Sequence, residues 1–171
     1  MNYDNLILCS TEPYPEIVDA KPNAMIVNIL KDLTSGRVGE YTAITQYTYQ
    51  HIVSADQSKD ISKVLEEISI TEMRHLELLS KAIVSFGGKP IFQDGRGNYF
   101  TSAYTNYSAR LIDMLRANIR GETRAIYEYE RAIERVDNAS LKSLLRRIIA
   151  DEQCHLKVFE EFERTIDFFG K

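Results

Sequence analysis

The chain is 171 residues long, enough for one substantial hydrophobic core and short for two. Hydrophobic residues make up 44% and charged residues 27%, which excludes a disordered or fibrous class. A net charge of −4 with no cluster of Lys and Arg argues against a nucleic-acid or anionic-membrane surface, and no run approaches the roughly 20 apolar residues that span a bilayer.

Residues 1–21 read as an N-terminal extension. Its one apolar run, Leu6-Ile7-Leu8, has no basic leader before it, so no signal peptide is expected. Cys9 and Cys154 form no C-x-x-C and fit two free thiols in a reducing compartment, which makes a cytoplasmic location the expectation. Pro22 suits the first turn of a helix, and no proline interrupts from there to Ser54. Gly36 and Gly39 fall inside this first helix; since glycine costs about 1 kcal/mol there, close packing is inferred around them. A second helix is predicted from Gln57 to Phe86, stopped by Gly87-Gly88 and Pro90. Along it Leu65, Ile68, Glu72, His75, Leu79 and Phe86 follow helical spacing. Residues 87–107 form a long link rich in glycine and aromatics (Phe92, Tyr99, Phe100, Tyr104, Tyr107) that are expected to pack it onto the bundle. A third helix starts near Ser108, a suitable N-cap, and ends near Asp137-Asn138; a fourth runs from Ser140 to Phe168. Arg146-Arg147, interleaved with acids, reads as a solvated face of that last helix.

Connection lengths set the topology. The breaks near 55–56 and 137–139 are short and imply antiparallel hairpins. A helix of this length spans about 45 Å, whereas the extended link reaches about 70 Å, enough to cross the whole bundle. The expectation is an all-α antiparallel four-helix bundle, one domain over 22–168, with hairpins 22–86 and 108–168 joined by the crossover 87–107.

The two hairpins repeat one pattern. Gly39-Glu40-x-x-Ala43-Ile44-x-x-Tyr47 recurs about 80 residues later as Gly121-Glu122-x-x-Ala125-Ile126-x-x-Tyr129. Each copy is followed by Glu-x-x-His-Leu, at Glu72-His75-Leu76 and at Glu152-His155-Leu156. An i, i+3 spacing puts each glutamate beside its histidine on one helix face. Glu40 and Glu122 come from the other helix of each hairpin. The six side chains Glu40, Glu72, His75, Glu122, Glu152 and His155 are the donor set that holds two divalent transition metals between four helices. Four carboxylates balance two divalent ions, and the absence of thiolate favours iron or manganese over a structural zinc site. Tyr47 and Tyr129, seven residues after their glutamates, share the glutamates' face, where a metal-bound carboxylate could accept from the phenol. They are the candidate catalytic side chains, with ordinary core tyrosines as the alternative. His51 has no partner motif and reads as a bundle-end polar residue.

These motifs resemble the ferritin-like superfamily over residues 22–168, most of all rubrerythrin-type domains, with bacterioferritins and manganese catalases as relatives. The resemblance implies that Glu40 and His75 serve one metal, that Glu122 and His155 serve the other, and that Glu72 and Glu152 bridge. Two departures stand out. Rubrerythrins typically carry a second glutamate three residues after the third-helix ligand, where this chain has Ala125, and the C-terminal rubredoxin domain with its paired C-x-x-C motifs has no counterpart here. Electrons would therefore come from a separate donor protein. Met73, directly after Glu72, copies the place of a haem-ligating methionine in bacterioferritins, but a lone methionine is equally a gap-filler at a helix interface, and haem is not expected.

The function expected is that of an oxidoreductase: a dinuclear iron centre, manganese being the alternative metal, that reacts with hydrogen peroxide or dioxygen. A dimanganese catalase is the enzymatic alternative, and iron storage in a cage is the alternative from another class. A homo-oligomer, at least a dimer, is expected, with no nucleic-acid or membrane partner.

Overall fold

The computed structural model describes residues 8–169, with side chains as far as residue 166. Helix α1 spans Ala24–Ser35, α2 Glu40–Ser54, α3 Lys59–Ser85, α4 Leu111–Arg135 and α5 Ala139–Phe169, with one turn of 3-10 helix at Ser102–Tyr104. The architecture is the all-helical, ferritin-like bundle, and among the described residues the only β pairing is an isolated bridge, Gln93 to Tyr99.

The single helix expected over 22–54 is divided in two. Asn23, not Pro22, starts α1: its Oδ1 accepts from Met25 N at 3.0 Å and Ile26 N at 3.1 Å, a local side-chain cap that proline cannot provide. At the break, a Cβ on Gly36 would strike the Asp32 carbonyl oxygen, and one on Gly39 would come within 2.5 Å of Leu33 O and 2.8 Å of Thr34 C. The close packing inferred at these glycines is real, but it is backbone against backbone, and that is incompatible with a continuous helix. The break makes Glu40 the first residue of α2.

α3 is capped by Ser58, whose Oγ accepts from Ile61 N at 3.3 Å, and it gives way to Gly87 at φ 82°. α4 begins at Leu111, later than Ser108, because the peptides there are committed elsewhere: Ser108 N donates to Asn106 Oδ1 at 3.0 Å, and Ala109 O accepts from Gln57 Nε2 at 3.0 Å. α5 follows Asn138, whose Oδ1 accepts from Leu141 N at 2.8 Å.

Side-chain bonds between the helices give their directions. Tyr47 meets Glu122 while Tyr129 meets Glu40, so α2 and α4 are antiparallel. His75 meets Asp151 while His155 meets Glu72, so α3 and α5 are antiparallel too. With α2 and α3 forming one hairpin and α4 and α5 the other, α3 and α4 run parallel. The crossover between them lies on α2. Phe92 and Phe100 pack at a tilt against Tyr41 with centroids 4.4 and 5.6 Å away, Tyr107 meets Tyr49 edge-on at 5.0 Å, and Asn106 N donates to Gln46 Oε1 at 2.9 Å.

Apolar burial falls into two clusters, one at each end of the bundle. Ile26, Leu30, Leu79, Ile83, Leu141, Leu145 and Ile148 build the first around α1, and Tyr129 belongs to it. Ile61, Leu65, Ile68, Leu115, Phe159 and Phe162 build the second, and Tyr47 belongs to that one. The carboxylates and histidines lie between the two. No helix among the described residues is long and apolar enough to cross a membrane.

Candidate metal centre

Four helices each deliver part of one buried cluster. α2 supplies Glu40, α4 supplies Glu122, and the Glu-x-x-His turns of α3 and α5 supply Glu72 with His75 and Glu152 with His155. All six are at most 3% exposed. Donor atoms of Glu40, Glu72, His75 and Glu152 lie within 4.8 Å of one another, as do those of Glu72, Glu122, Glu152 and His155. Glu72 and Glu152 belong to both sets. The two ring centroids are 6.2 Å apart.

Both imidazoles turn Nδ1 inward. His75 Nδ1 lies 2.9 Å from Glu72, 3.3 Å from Glu152 and 3.8 Å from Glu40. His155 Nδ1 lies 2.9 Å from Glu152, 3.0 Å from Glu72 and 3.8 Å from Glu122. Glu72 Oε1 lies 3.0 Å from His155 Nδ1 but accepts no aligned hydrogen bond among the described residues, although it is buried at the centre. Glu40 also stands in the first turn of α2, where the helix dipole favours a negative charge. Burial outweighs that help. Burial first, then the Glu72 and Glu152 charges, push the Glu40 carboxyl well above the ordinary carboxylate range. Burial and the same two charges do the same to Glu122. Burial would raise Glu72 as well, but His155 and His75 hold it well below its usual value. Both imidazoles would be depressed by burial, yet the carboxylates around them raise them well above theirs. Four carboxylates packed this closely in low dielectric are a large electrostatic cost in the protein alone. Two divalent cations between the donor sets would cancel it, and carboxylate with imidazole suits iron or manganese. The residues fit a dinuclear metal site.

The tyrosines close the cluster from its two ends, each across the bundle. Tyr47 on α2 donates to Glu122 Oε1 at 2.5 Å, and Tyr129 on α4 donates to Glu40 Oε1. Burial, then the charge of the partner glutamate, drives both phenols well above their ordinary pKa, so each remains a donor at neutral pH.

Sequence reasoning missed what lies behind His75. Its Nε2 meets Asp151 Oδ2 at 3.0 Å. The same carboxylate accepts from Tyr14 OH at 2.7 Å and, through its other oxygen, from Ser10 N at 2.6 Å. Arg147 lies 2.6 Å from Asp151 and donates to Ser10 O and Glu12 O at 2.7 and 2.5 Å, its guanidinium 4.2 Å from the Tyr14 ring centroid. Arg147 is therefore buried structure, not the solvated face expected, whereas Arg146 is exposed. Residues 10–14 of the extension thus form the back wall of one half of the centre. The signal lay in the repeat: Asp151 precedes Glu152 where Thr71 precedes Glu72. A second omission is a buried amide file, in which Gln46 Nε2 donates to Asn118 Oδ1 at 2.8 Å and Asn118 Nδ2 to Gln50 Oε1 at 2.7 Å. His51 stays outside the centre, its Nδ1 2.8 Å from Ser62 O across the α2–α3 hairpin.

A cavity of about 360 Å³ opens between α2 and α4 and reaches all four glutamates, so a small molecule can approach the cluster. Comparison with known proteins gives the family. The rubrerythrin family model matches residues 31–163. The chain belongs to the rubrerythrin family. A bacterioferritin from Desulfovibrio desulfuricans is 27% identical over 145 residues, covering 83% of this chain and 78% of that protein. A probable manganese catalase from Clostridium acetobutylicum is 20% identical over 162 residues, covering 82% and 71%. Among solved structures, a manganese catalase from Anabaena PCC7120 superposes with TM-score 0.83 at 26% identity, covering 96% of this chain and 81% of that one. The bacterioferritin of D. desulfuricans, described with its diiron site, superposes with TM-score 0.72 at 26% identity, covering 86% and 83%. The proteins to which this chain is similar thus include both a diiron protein and manganese catalases.

Proposed function

We propose that this rubrerythrin-family chain is a dinuclear metal oxidoreductase that consumes hydrogen peroxide. The observation that carries the reading is the cavity between α2 and α4, which brings a small molecule to Glu40, Glu72, Glu122 and Glu152 at once. A metal site that serves only the fold would be closed. Glu40 and His75 would hold one ion, Glu122 and His155 the other, with Glu72 and Glu152 shared. Once bound, the ions supply electron exchange with the oxidant. The chain's own residues orient and exclude. Tyr47 and Tyr129 each occupy one oxygen of a terminal glutamate and leave the other free for metal. As protonated phenols at the edge of the cluster, they are the donors nearest to any charge that develops there. Asp151 fixes the His75 ring with Nδ1 inward.

Iron with an external electron donor is the first choice of metal and reaction, following the family. Manganese with disproportionation of peroxide is the second. It is favoured by a likeness to the Anabaena catalase that covers 96% of the chain, more than the bacterioferritin likeness covers. Loading the protein with iron or with manganese and following peroxide loss and oxygen release, with and without a reductant, separates the two. Reductant-dependent peroxide loss by the iron form supports the first. Oxygen release by the manganese form without reductant, with the iron form inert, replaces it with the second. No peroxide loss by either form overturns the proposal.

A further inference from the structure

The two glycines of the repeat stand in different circumstances. Gly39 is held by sterics, since any side chain would meet the backbone of Leu33 and Thr34. Gly121 is not. It sits inside α4, where glycine is the poorest residue after proline. Beyond the backbone of its own helix and its two chain neighbours, a Cβ there would meet no atom within 4 Å among the described residues, and its backbone is not left-handed. Neither packing nor conformation calls for a glycine at 121. The space that a side chain would enter is the cavity leading to the glutamates, which Gly121 lines together with Ala117 and Ala125, one helical turn away on either side. At its inner end stands buried Glu72 with the unaligned Oε1.

The outer end has a distinct charge. Arg37, Arg120 and Arg124 line the mouth and are exposed, with Arg37 over the Tyr104 ring at 5.9 Å. Arg124 is shared with Glu128 at 2.5 Å; among the described residues the acids lining the cavity are the four glutamates of the cluster. A divalent cation approaching this mouth meets like charge, whereas an anion is drawn in and a neutral molecule is indifferent.

We infer that Gly121 is the aperture of an arginine-rimmed channel that admits small neutral or anionic ligands, on the scale of peroxide or azide, to the metal centre. The inference rests on the peroxide reading for its natural ligand, but its test does not. Azide, a small linear anion, is the probe, titrated optically into metal-loaded protein. Gly121→Leu should keep full metal content and weaken azide binding roughly tenfold or more, the scale on which added methylenes discriminate in a confined pocket. The same variant should lower kcat/KM for peroxide in parallel. Gly121→Ala should raise the melting temperature, because alanine is the better helix former, and weaken azide to a smaller extent. Arg120→Glu should weaken azide binding in a salt-dependent way. Azide binding like the wild type's in Gly121→Leu at full metal content overturns the inference. Should that variant lose metal or fail to fold, Gly121→Ala decides: a higher melting temperature with azide binding unchanged also overturns it. A loaded protein that binds azide with this size dependence but ignores peroxide leaves the aperture standing and removes the peroxide reading.

Discussion

The two histidines of the centre are equivalent on their inner side and different on their outer side. Each turns Nδ1 toward three carboxylates at closely matching distances. Behind them the symmetry ends. His75 Nε2 meets Asp151, which is itself held by Tyr14, Ser10 and Arg147, whereas His155 Nε2 has no hydrogen-bond partner among the described residues. At the position that matches Asp151, Thr71 is half-buried and donates to Glu67 O in its own helix. The halves have kept what would touch metal and diverged in what supports it.

The largest expected effect tests the shared part. If Glu72 and Glu152 bridge, Glu72→Ala and Glu152→Ala should each empty both positions, whereas Glu40→Ala and Glu122→Ala should each weaken one. Elemental analysis of the purified variants checks this, and full metal content in Glu72→Ala would refute the bridge.

Metal removal tests the two halves together. Binding to the folded state alone raises stability by about 2.7 kcal/mol at a hundredfold excess over Kd. The pH dependence follows from the raised groups. Glu40 and Glu122 keep their protons in the folded, metal-free protein at pH values where the unfolded chain has released them. The raised histidines likewise stay charged beyond the unfolded value. Stability from all four is full below their unfolded pKa values and is lost as pH rises toward the folded ones. Metal-free protein should therefore weaken from about pH 5 to pH 8 while the loaded protein gains metal affinity, so the gap in melting temperature widens with pH. A gap that narrows over this range contradicts the assignment.

Asp151→Asn separates the halves. Loss of an outer carboxylate partner typically costs about 10–100-fold in metal affinity, and here it should fall on the ion served by His75. Thr71→Ala should leave both ions alone. Stepwise chelation, with one fast and one slow metal in the Asp151→Asn variant, is the measurement; two metals leaving together would erase the distinction.

The smallest effect restores the symmetry. Tyr47→Phe and Tyr129→Phe each remove one donor at one terminal glutamate, and each should slow oxidation of the reduced protein by peroxide by about tenfold, near 1.4 kcal/mol. Stopped-flow traces in which one variant is silent and the other is not would show that the crossed pairing is not functionally equivalent.

The six cluster residues were legible because each sits in a short helical pattern that occurs twice, so spacing alone puts Glu72 beside His75 and Glu152 beside His155. The crossed bonds of Tyr47 and Tyr129 were half legible: face and distance from the glutamate follow from period, but the acceptor on the opposite helix does not. In the sequence the break at Gly36–Gly39 looks like packing within a helix, since only the folded chain shows that the intruding atoms are the helix's own last carbonyls. Asp151 and Arg147 escaped for a related reason. Their other partners lie in residues 10–14, remote in sequence, and a charged pair one turn apart looks the same in sequence whether it faces water or a half-buried tyrosine.

The strap formed by residues 10–14 has a consequence for how the unit is cut. Every proposed ligand falls within the span 31–163 that the family model matches, so that span would pass for the complete functional module. Yet Ser10 and Tyr14 anchor the carboxylate that steadies His75, Glu12 holds the Arg147 beside it, and all three lie outside that span. A fragment trimmed to the ligands would keep all six side chains and lose the brace on one of them. It would present as a half-labile cofactor carrier, and the fault would be sought among ligands that are all intact.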